Sequence, residues 1–340
     1  MDLGGAVALV TGGTGFLGRH LVARLAGLGH AVRFTGRNAS VGRALESPRA
    51  RFVAADLSRA EAAGALCADI DVVFHCAARS SPWGRYREFE AANVDATRHV
   101  VSACLSSGVR RLVHVSTPSI YFAPAHRFDI QEDDPLPPPF NAYAATKRRA
   151  EEIVDAAGAR GLETVTLRPR AIFGPYDQTI LPRLVRAARR GRFPLIEAGR
   201  ATIDVTCVEN VVDGLLLAMD AGPAAVGKAF NLTNGEPLTV VDLLSRFIRA
   251  AGLGVTLVPW SRARANAVAT VLETLARLTG SRWEPPLTRY SVGVLAWSQT
   301  LNIDAARRLL GYAPRVTLDE GFEGLRAWWR GDDTSPRPAA

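Results

Sequence analysis

Lysine is almost missing from this 340-residue chain: Lys147 and Lys228 are the only two, and nearly all of its 41 basic residues are arginine. The formal charge of +8 and pI near 9.8 would fit a nucleic-acid binder, but the arginines are dispersed, with no basic run, stacking motif or reading helix beside them. Nucleic acid is therefore set aside as a partner. A lysine kept where arginine is the habit points to a position needing a compact charge or a removable proton.

Other absences narrow the class. The four cysteines, Cys67, Cys76, Cys104 and Cys207, have no paired spacing and sit in apolar stretches, so they are expected to be reduced core residues, with neither a disulfide framework nor a metal site. No uncharged apolar run approaches the 18 or so residues of a membrane span, and the N-terminus passes directly into a strand-like run. The expectation is a cytoplasmic protein without a transmembrane segment. Gly and Pro form no low-complexity tract, and only the stretch 331–340, GDDTSPRPAA, reads as disordered.

What is present is alternation. From residue 6 to about 170, short β-branched runs (AVALVTG, AVRFTG, RFVAADL, DVVFHCAA, RLVHVST, ETVTLRP) take turns with helical patterns near 16–28, 88–107 and 141–160. Strand and helix in turn predict an α/β doubly wound parallel sheet of Rossmann type over 1–170. Segments near 203–232 return to it, and most of 171–330 builds a smaller, discontinuous substrate lobe. Five of the six tryptophans lie from Trp260 onward, predicting a bulky apolar lobe interior or contact with substrate.

Between the first strand and first helix stands TGGTGFLG, Thr11 to Gly18. Gly12 suits a tight turn, Gly15 admits a pyrophosphate, and Gly18 allows close packing of helix on strand, with the helix N-terminus facing the phosphates. Thr11, Gly12, Thr14, Gly15, Phe16, Leu17 and Gly18 are thus candidate cofactor residues. The second strand ends in Thr35, Gly36 and Arg37, where an acid would select NAD; a guanidinium there favours the 2′-phosphate of NADP(H). Asp56 and Leu57 end the third strand, as flanks of the adenine or as a simple strand-end turn.

Tyr143 and Lys147 lie four apart on a predicted helix and share a face, so the ammonium would favour the phenolate and fit the tyrosine for acid–base work. The preceding strand ends in Ser116, Thr117 and Ser119, any of which would hold a substrate carbonyl; Thr117 is preferred.

Together TGGTGFLG, DL at 56–57, HCAA at 75–78, NVDAT at 93–97, VSTPSIY, Tyr143 to Lys147 and LRPRAIFGP at 167–175 resemble the extended short-chain dehydrogenase/reductase superfamily, home of nucleotide-sugar epimerases and 3β-hydroxysteroid dehydrogenases. The resemblance implies Tyr143 as proton donor, Lys147 lowering its pKa and holding the nicotinamide ribose, and Thr117 orienting the carbonyl. It adds Ala77 and Pro169 to the cofactor site, and a homodimer through the helices bearing Tyr143 and Lys147. Ala171 stands where sugar-nucleotide enzymes carry Asn, and Pro118–Ser119 where 4,6-dehydratases carry Asp-Glu, so neither chemistry is expected.

The stretch 284–314 looks most like the 3β-hydroxysteroid dehydrogenase branch, particularly the bacterial 2-alkyl-3-oxoalkanoate reductases of olefin synthesis. This implies hydride transfer to or from a keto or secondary hydroxyl carbon of a small hydrophobic substrate: a β-keto acid or β-keto ester with long alkyl arms first, a sterol second. An epimerase or dehydratase with tightly held NAD and an NADP-sensing regulator are the rivals. Arg170, Arg183 and Arg200 are candidate partners for a substrate carboxylate. Val268, Val271, Leu272, Leu275 and Leu278 fall on one helical face, with Glu273 and Arg277 off it; burial against the lobe is expected, with substrate capping or peripheral membrane contact as alternatives.

Overall fold

The computed structural model describes residues 6–177, 180–188, 191–279 and 283–331. Nearly all of the stretch expected to be disordered, 332–340, lies outside the described residues.

The sheet begins with β1 (Val7–Thr11), β2 (Ala31–Gly36), β3 (Ala50–Ala54), β4 (Val72–His75) and β5 (Arg111–Val115). Strands Glu163–Pro169 and Lys228–Leu232 complete it. All pairings are parallel, in the order Lys228–Leu232, Glu163–Pro169, β5, β4, β1, β2, β3. Both faces are covered, which is why strands such as Val72–His75 are buried at every position. Helix α1 (Phe16–Gly27) and Val208–Met219 cover one face; α2 (Ala39–Ala44) lies at the β2–β3 edge, and α3 (Ala60–Cys67), Ala96–Ser106 and Ala142–Gly158 cover the other. The chain reverses its direction of sheet growth between β1 and β4, opening a crevice at their C-terminal ends where such folds bind ligands. Cys67, Cys104 and Cys207 are buried free thiols and Cys76 is partly buried.

The rest forms a lobe over that crevice. Its small sheet takes strands from both halves of the chain, in the order Leu238–Thr239, Thr202–Ile203, Gln299–Leu301, Arg127–Ile130. Its core is a stack of Phe173, Phe247 and Phe322 with Trp328. Of the five late tryptophans only Trp328 is fully enclosed; Trp260 and Trp297 lie under the guanidinium groups of Arg264 and Arg262, and Trp283 is half exposed. Phenylalanine and Trp328 fill the lobe core, with Trp260, Trp297 and Trp329 packed against its clusters.

Helix Arg262–Leu278 reverses the expected facing. Its buried residues are Ala265, Ala269, Glu273 and Ala276, whereas Val271, Leu275 and Leu278 are 58%, 52% and 79% exposed. The cause is its neighbour, helix Arg289–Ala296: small alanines allow close approach, and the Glu273 carboxylate accepts the Arg289 N–H at 2.8 Å and Nε–H at 3.0 Å. A polar anchor outweighs the apolar stripe. Among the described residues no helix is long and apolar enough to cross a membrane.

Candidate active site

The glycine turn fits a dinucleotide. Gly12 adopts φ +67°, and a Cβ there would stand 2.8 Å from Ala77 Cα, so only glycine fits. Gly15 begins α1 with no side-chain cap, and a Cβ on it would meet only Gly12 O, which leaves a bare surface and uncapped N–H groups facing the crevice. Gly18 packs on the turn rather than on the strand: its Cβ would fall 2.2 Å from Gly12 O. Thr14 packs on Gly36, Phe16 is partly buried and Leu17 enters the core. Thr11 departs from the expectation. Its hydroxyl, fully enclosed, lies 2.8 Å from His75 Nδ1 and accepts the Ala77 N–H, so it braces the turn against β4 and presents no surface to a ligand.

At the end of β2, Arg37 is exposed and makes no hydrogen bond or ion pair among the described residues. Asp56 Oδ1 accepts the Ser58 Oγ–H at 2.8 Å and N–H at 3.1 Å, which, helped by nearby Arg37, holds its carboxyl below the usual range. Leu57 is buried in the core, and Pro169 ends its strand opposite Leu232. One cavity, about 600 Å³, runs along β3 and α3 and touches only Asp56 of these residues.

Helix Ala142–Gly158 starts where Asn141 accepts the Ala144 N–H at 2.8 Å, which puts Tyr143 in its first turn and Lys147 one turn on. The helix is fixed to the sheet by a buried two-pronged contact of Glu151 with Arg168, 2.6 and 3.0 Å. Asn93, within a π-helical turn, adds a second tie through Thr146 Oγ1 at 3.0 Å and the Arg79 N–H at 2.7 Å. The NVDAT motif held this signal, but the roles of Asn93 and Thr146 emerge only in the fold.

Lys147 is 2% exposed; its Nζ donates to Val115 O at 2.7 Å and lies 3.3 Å from His114 Nε2. Burial lowers the ammonium to about 8. His114 stacks on His75, and burial beside Lys147 keeps both imidazoles neutral, His75 at about 3. The Tyr143 phenol moves the opposite way from the implied lowering: burial raises it above the ordinary phenol value, while the Thr117 and Ser80 hydroxyls pull it down. Without cofactor, desolvation rather than Lys147 governs Tyr143.

Thr117 caps the short turn Pro118–Tyr121, accepting the Ser119 N–H at 3.2 Å and donating to Ser119 Oγ at 3.1 Å. Ser119 Oγ in turn lies 2.7 Å from the Tyr290 hydroxyl, delivered by helix Arg289–Ala296. Ser116 Oγ is buried without a hydrogen-bond partner among the described residues. No sequence signal marks Tyr290, which reaches the site from the far end of the chain. Beside the start of the Tyr143 helix opens a cavity of about 580 Å³ of mixed character, lined by Trp83, Phe89, Phe140 and Tyr290 together with charged side chains such as Arg79, Glu88 and Arg289. That size suits a small molecule.

Residues 8–233 match the NAD dependent epimerase/dehydratase family. The chain belongs to that family. It is 38% identical over 325 residues to 2-alkyl-3-oxoalkanoate reductase of Stenotrophomonas maltophilia, covering 94% of this chain and 98% of that one. It is 31% identical to the decarboxylating sterol-4-alpha-carboxylate 3-dehydrogenase of Mus musculus, covering 92% and 88%. Among solved structures it is similar to MoeE5 in complex with UDP-glucose and NAD, with a TM-score of 0.75, 26% identity, and 96% and 99% coverage. The chain is an oxidoreductase of this nicotinamide-dependent family. At Ala171, the place where sugar-nucleotide enzymes carry asparagine by the resemblance, the backbone is left-handed at φ +41°, a conformation asparagine tolerates better than alanine.

Proposed function

We propose that this protein reversibly reduces the 3-oxo group of a β-oxo carboxylic acid bearing apolar arms, with NADP(H) as cofactor. The observation that carries the reading is the meeting of the Thr117 hydroxyl and the Tyr143 phenol beside a cavity walled by Trp83, Phe89 and Phe140. The two named relatives support the substrate class. One name has the carboxylate at C1 and oxygen at C3; the other has a carboxylate at position 4 and acts at position 3. Both leave a single carbon between the carboxylate and the reacting carbon.

The glycine turn and Arg37 would hold the dinucleotide, and Lys147 its nicotinamide ribose. When bound, that group supplies or accepts the hydride. Thr117 donates a hydrogen bond to the substrate oxygen as charge gathers on it. Tyr143 delivers the proton in reduction and removes it in oxidation, and its raised pKa suits the donor role at neutral pH. Trp83, Phe89 and Phe140 offer apolar contacts for alkyl arms within a cavity whose rim also carries Arg79, Glu88, Glu284 and Arg289.

The test is NADPH consumption by purified protein against 3-oxoacids, 3-oxoesters, ketosteroids and nucleotide sugars. Turnover of 3-oxoacids above the others is expected. Preference for a nucleotide sugar, or protein that carries tightly bound NAD and needs none added, would overturn the reading.

A further inference from the structure

Three arginines are buried among the described residues, and two have obvious reasons to be. Arg111 pairs with Glu163 at 2.8 Å and Arg168 with Glu151 at 2.6 Å. Arg170 has neither. Only 6% exposed, its side chain makes no hydrogen bond or ion pair among the described residues, and its Nε is a buried donor with no acceptor. A guanidinium taken out of water without a carboxylate or carbonyl is costly unless a ligand completes it.

Its backbone is held on both sides. Arg170 N–H donates to Leu232 O at 3.0 Å, and its carbonyl accepts the Thr206 hydroxyl at 2.6 Å. The chain then turns through left-handed Ala171, so the strand end projecting this side chain is fixed. That end adjoins the Thr117 end of β5, where Ser116 N–H donates to Leu167 O at 2.7 Å. Tyr290 stands between the two: its hydroxyl bonds Ser119 beside Thr117, and its ring lies near both Tyr143 and Arg170. Asp204 is the other nearby charge, but one oxygen accepts the Leu301 N–H at 2.7 Å and neither comes within ion-pair distance of Arg170. Asp204 balances the field while the guanidinium donors remain free.

The other two candidates differ. Arg183 is half exposed and paired with Glu284 at 2.8 Å, and Arg200 is exposed.

We infer that Arg170 is the carboxylate-binding residue of the substrate site, receiving the acid group that a single carbon separates from the carbon held by Thr117 and Tyr143. This rests on the β-oxo acid reading above and selects acids over their esters. The planar fork of a guanidinium can take both oxygens of a carboxylate, while an ester offers a single weak acceptor and would leave the donors unpaired.

The experiment pairs a 2-alkyl-3-hydroxyalkanoic acid with its methyl ester, oxidised with NADP⁺ by the wild type, Arg170→Gln and Arg170→Lys, with thermal melts to confirm folding. Arg170→Gln should lower kcat/KM for the acid by roughly 10- to 100-fold, mainly through KM, and leave the ester nearly unchanged. Arg170→Lys, which keeps the charge without the fork, should fall between. An equal fall for acid and ester, or no fall, overturns the inference.

A second measurement needs no turnover: binding of 2-ethylhexanoate to the NADP⁺-loaded protein, by calorimetry. Loss of that binding in Arg170→Gln supports the carboxylate site even if no 3-hydroxy acid is oxidised, in which case the β-oxo acid reading falls alone. Unchanged binding removes the site and leaves the reading standing.

Discussion

The Tyr290 hydroxyl lies 2.7 Å from Ser119 Oγ, which itself accepts the proton of Thr117. A helix of the lobe thereby sets the Thr117 hydroxyl, the group proposed to meet the substrate oxygen. When Thr117 turns its proton to a carbonyl, Ser119 can donate to Thr117 and Tyr290 to Ser119, so every oxygen stays satisfied. Tyr290→Phe should lower kcat about five- to tenfold, the loss of one net hydrogen bond, without changing cofactor affinity. Ser119→Ala should do the same, and the double variant should be no worse than either alone. Additive losses in steady-state kinetics would mean that the three hydroxyls do not act as a chain.

With Lys147 in its proposed role, stability and activity should depend on pH in opposite directions. Burial lowers its folded-state pKa from 10.5 to about 8. Below pH 8 both folded and unfolded chains hold the proton and the buried charge carries its full cost. Between about 8 and 10.5 the unfolded chain binds the proton and the folded chain does not, so stability rises with pH, by about 3 kcal/mol in all. Activity should do the reverse: kcat/KM for NADPH should fall above about pH 8 as the ammonium discharges. Urea melts at pH 7 and 9.5 check the first half against Lys147→Met, which should lose this component of the rise.

The parts readable in advance are those in which neighbours in sequence are neighbours in space. TGGTGFLG is one turn of backbone, so Gly12 and Gly15 follow from local geometry, and Tyr143 with Lys147 need only one helical turn. Tyr290 could not be found this way, since its partner Ser119 belongs to a distant segment and tyrosine has no spacing of its own. Periodicity misled at Val271, Leu275 and Leu278 because it records an apolar stripe without showing what stands opposite; Arg289 stood opposite Glu273 and decided the facing. Thr11 read as a ligand contact because motif position does not reveal that His75 occupies its hydroxyl.

Glu151 and Arg168 together fix the helix carrying Tyr143. Both are more than nine-tenths buried, so Glu151→Gln strands a charge and should cost about 3–5 kcal/mol. The melting temperature should drop by on the order of 10 °C. Arg111 and Glu163 provide the control: Glu163 is 39% exposed, so Glu163→Gln should cost about 1 kcal/mol or less. Similar losses in the two variants would show that water reaches the Glu151 pair.

The proposed preference for NADP(H) rests on the freedom of Arg37. A guanidinium already paired would gain little from a phosphate, but Arg37 has no partner among the described residues, and the acid nearest it, Asp56, is occupied by Ser58. Binding a 2′-phosphate would thus create a charge-assisted contact without breaking an older one, about 1.5–3 kcal/mol or roughly 10- to 100-fold in Kd. Thermal shifts at equal concentrations should be larger with NADPH than with NADH, because stabilisation follows the logarithm of ligand concentration over Kd. Arg37→Asp should reverse the order, since the carboxylate repels the phosphate and accepts a hydrogen bond from the ribose 2′-OH of NADH. Equal shifts in the wild type would leave Arg37 an ordinary surface arginine, and an unchanged order in Arg37→Asp would assign the preference to another residue.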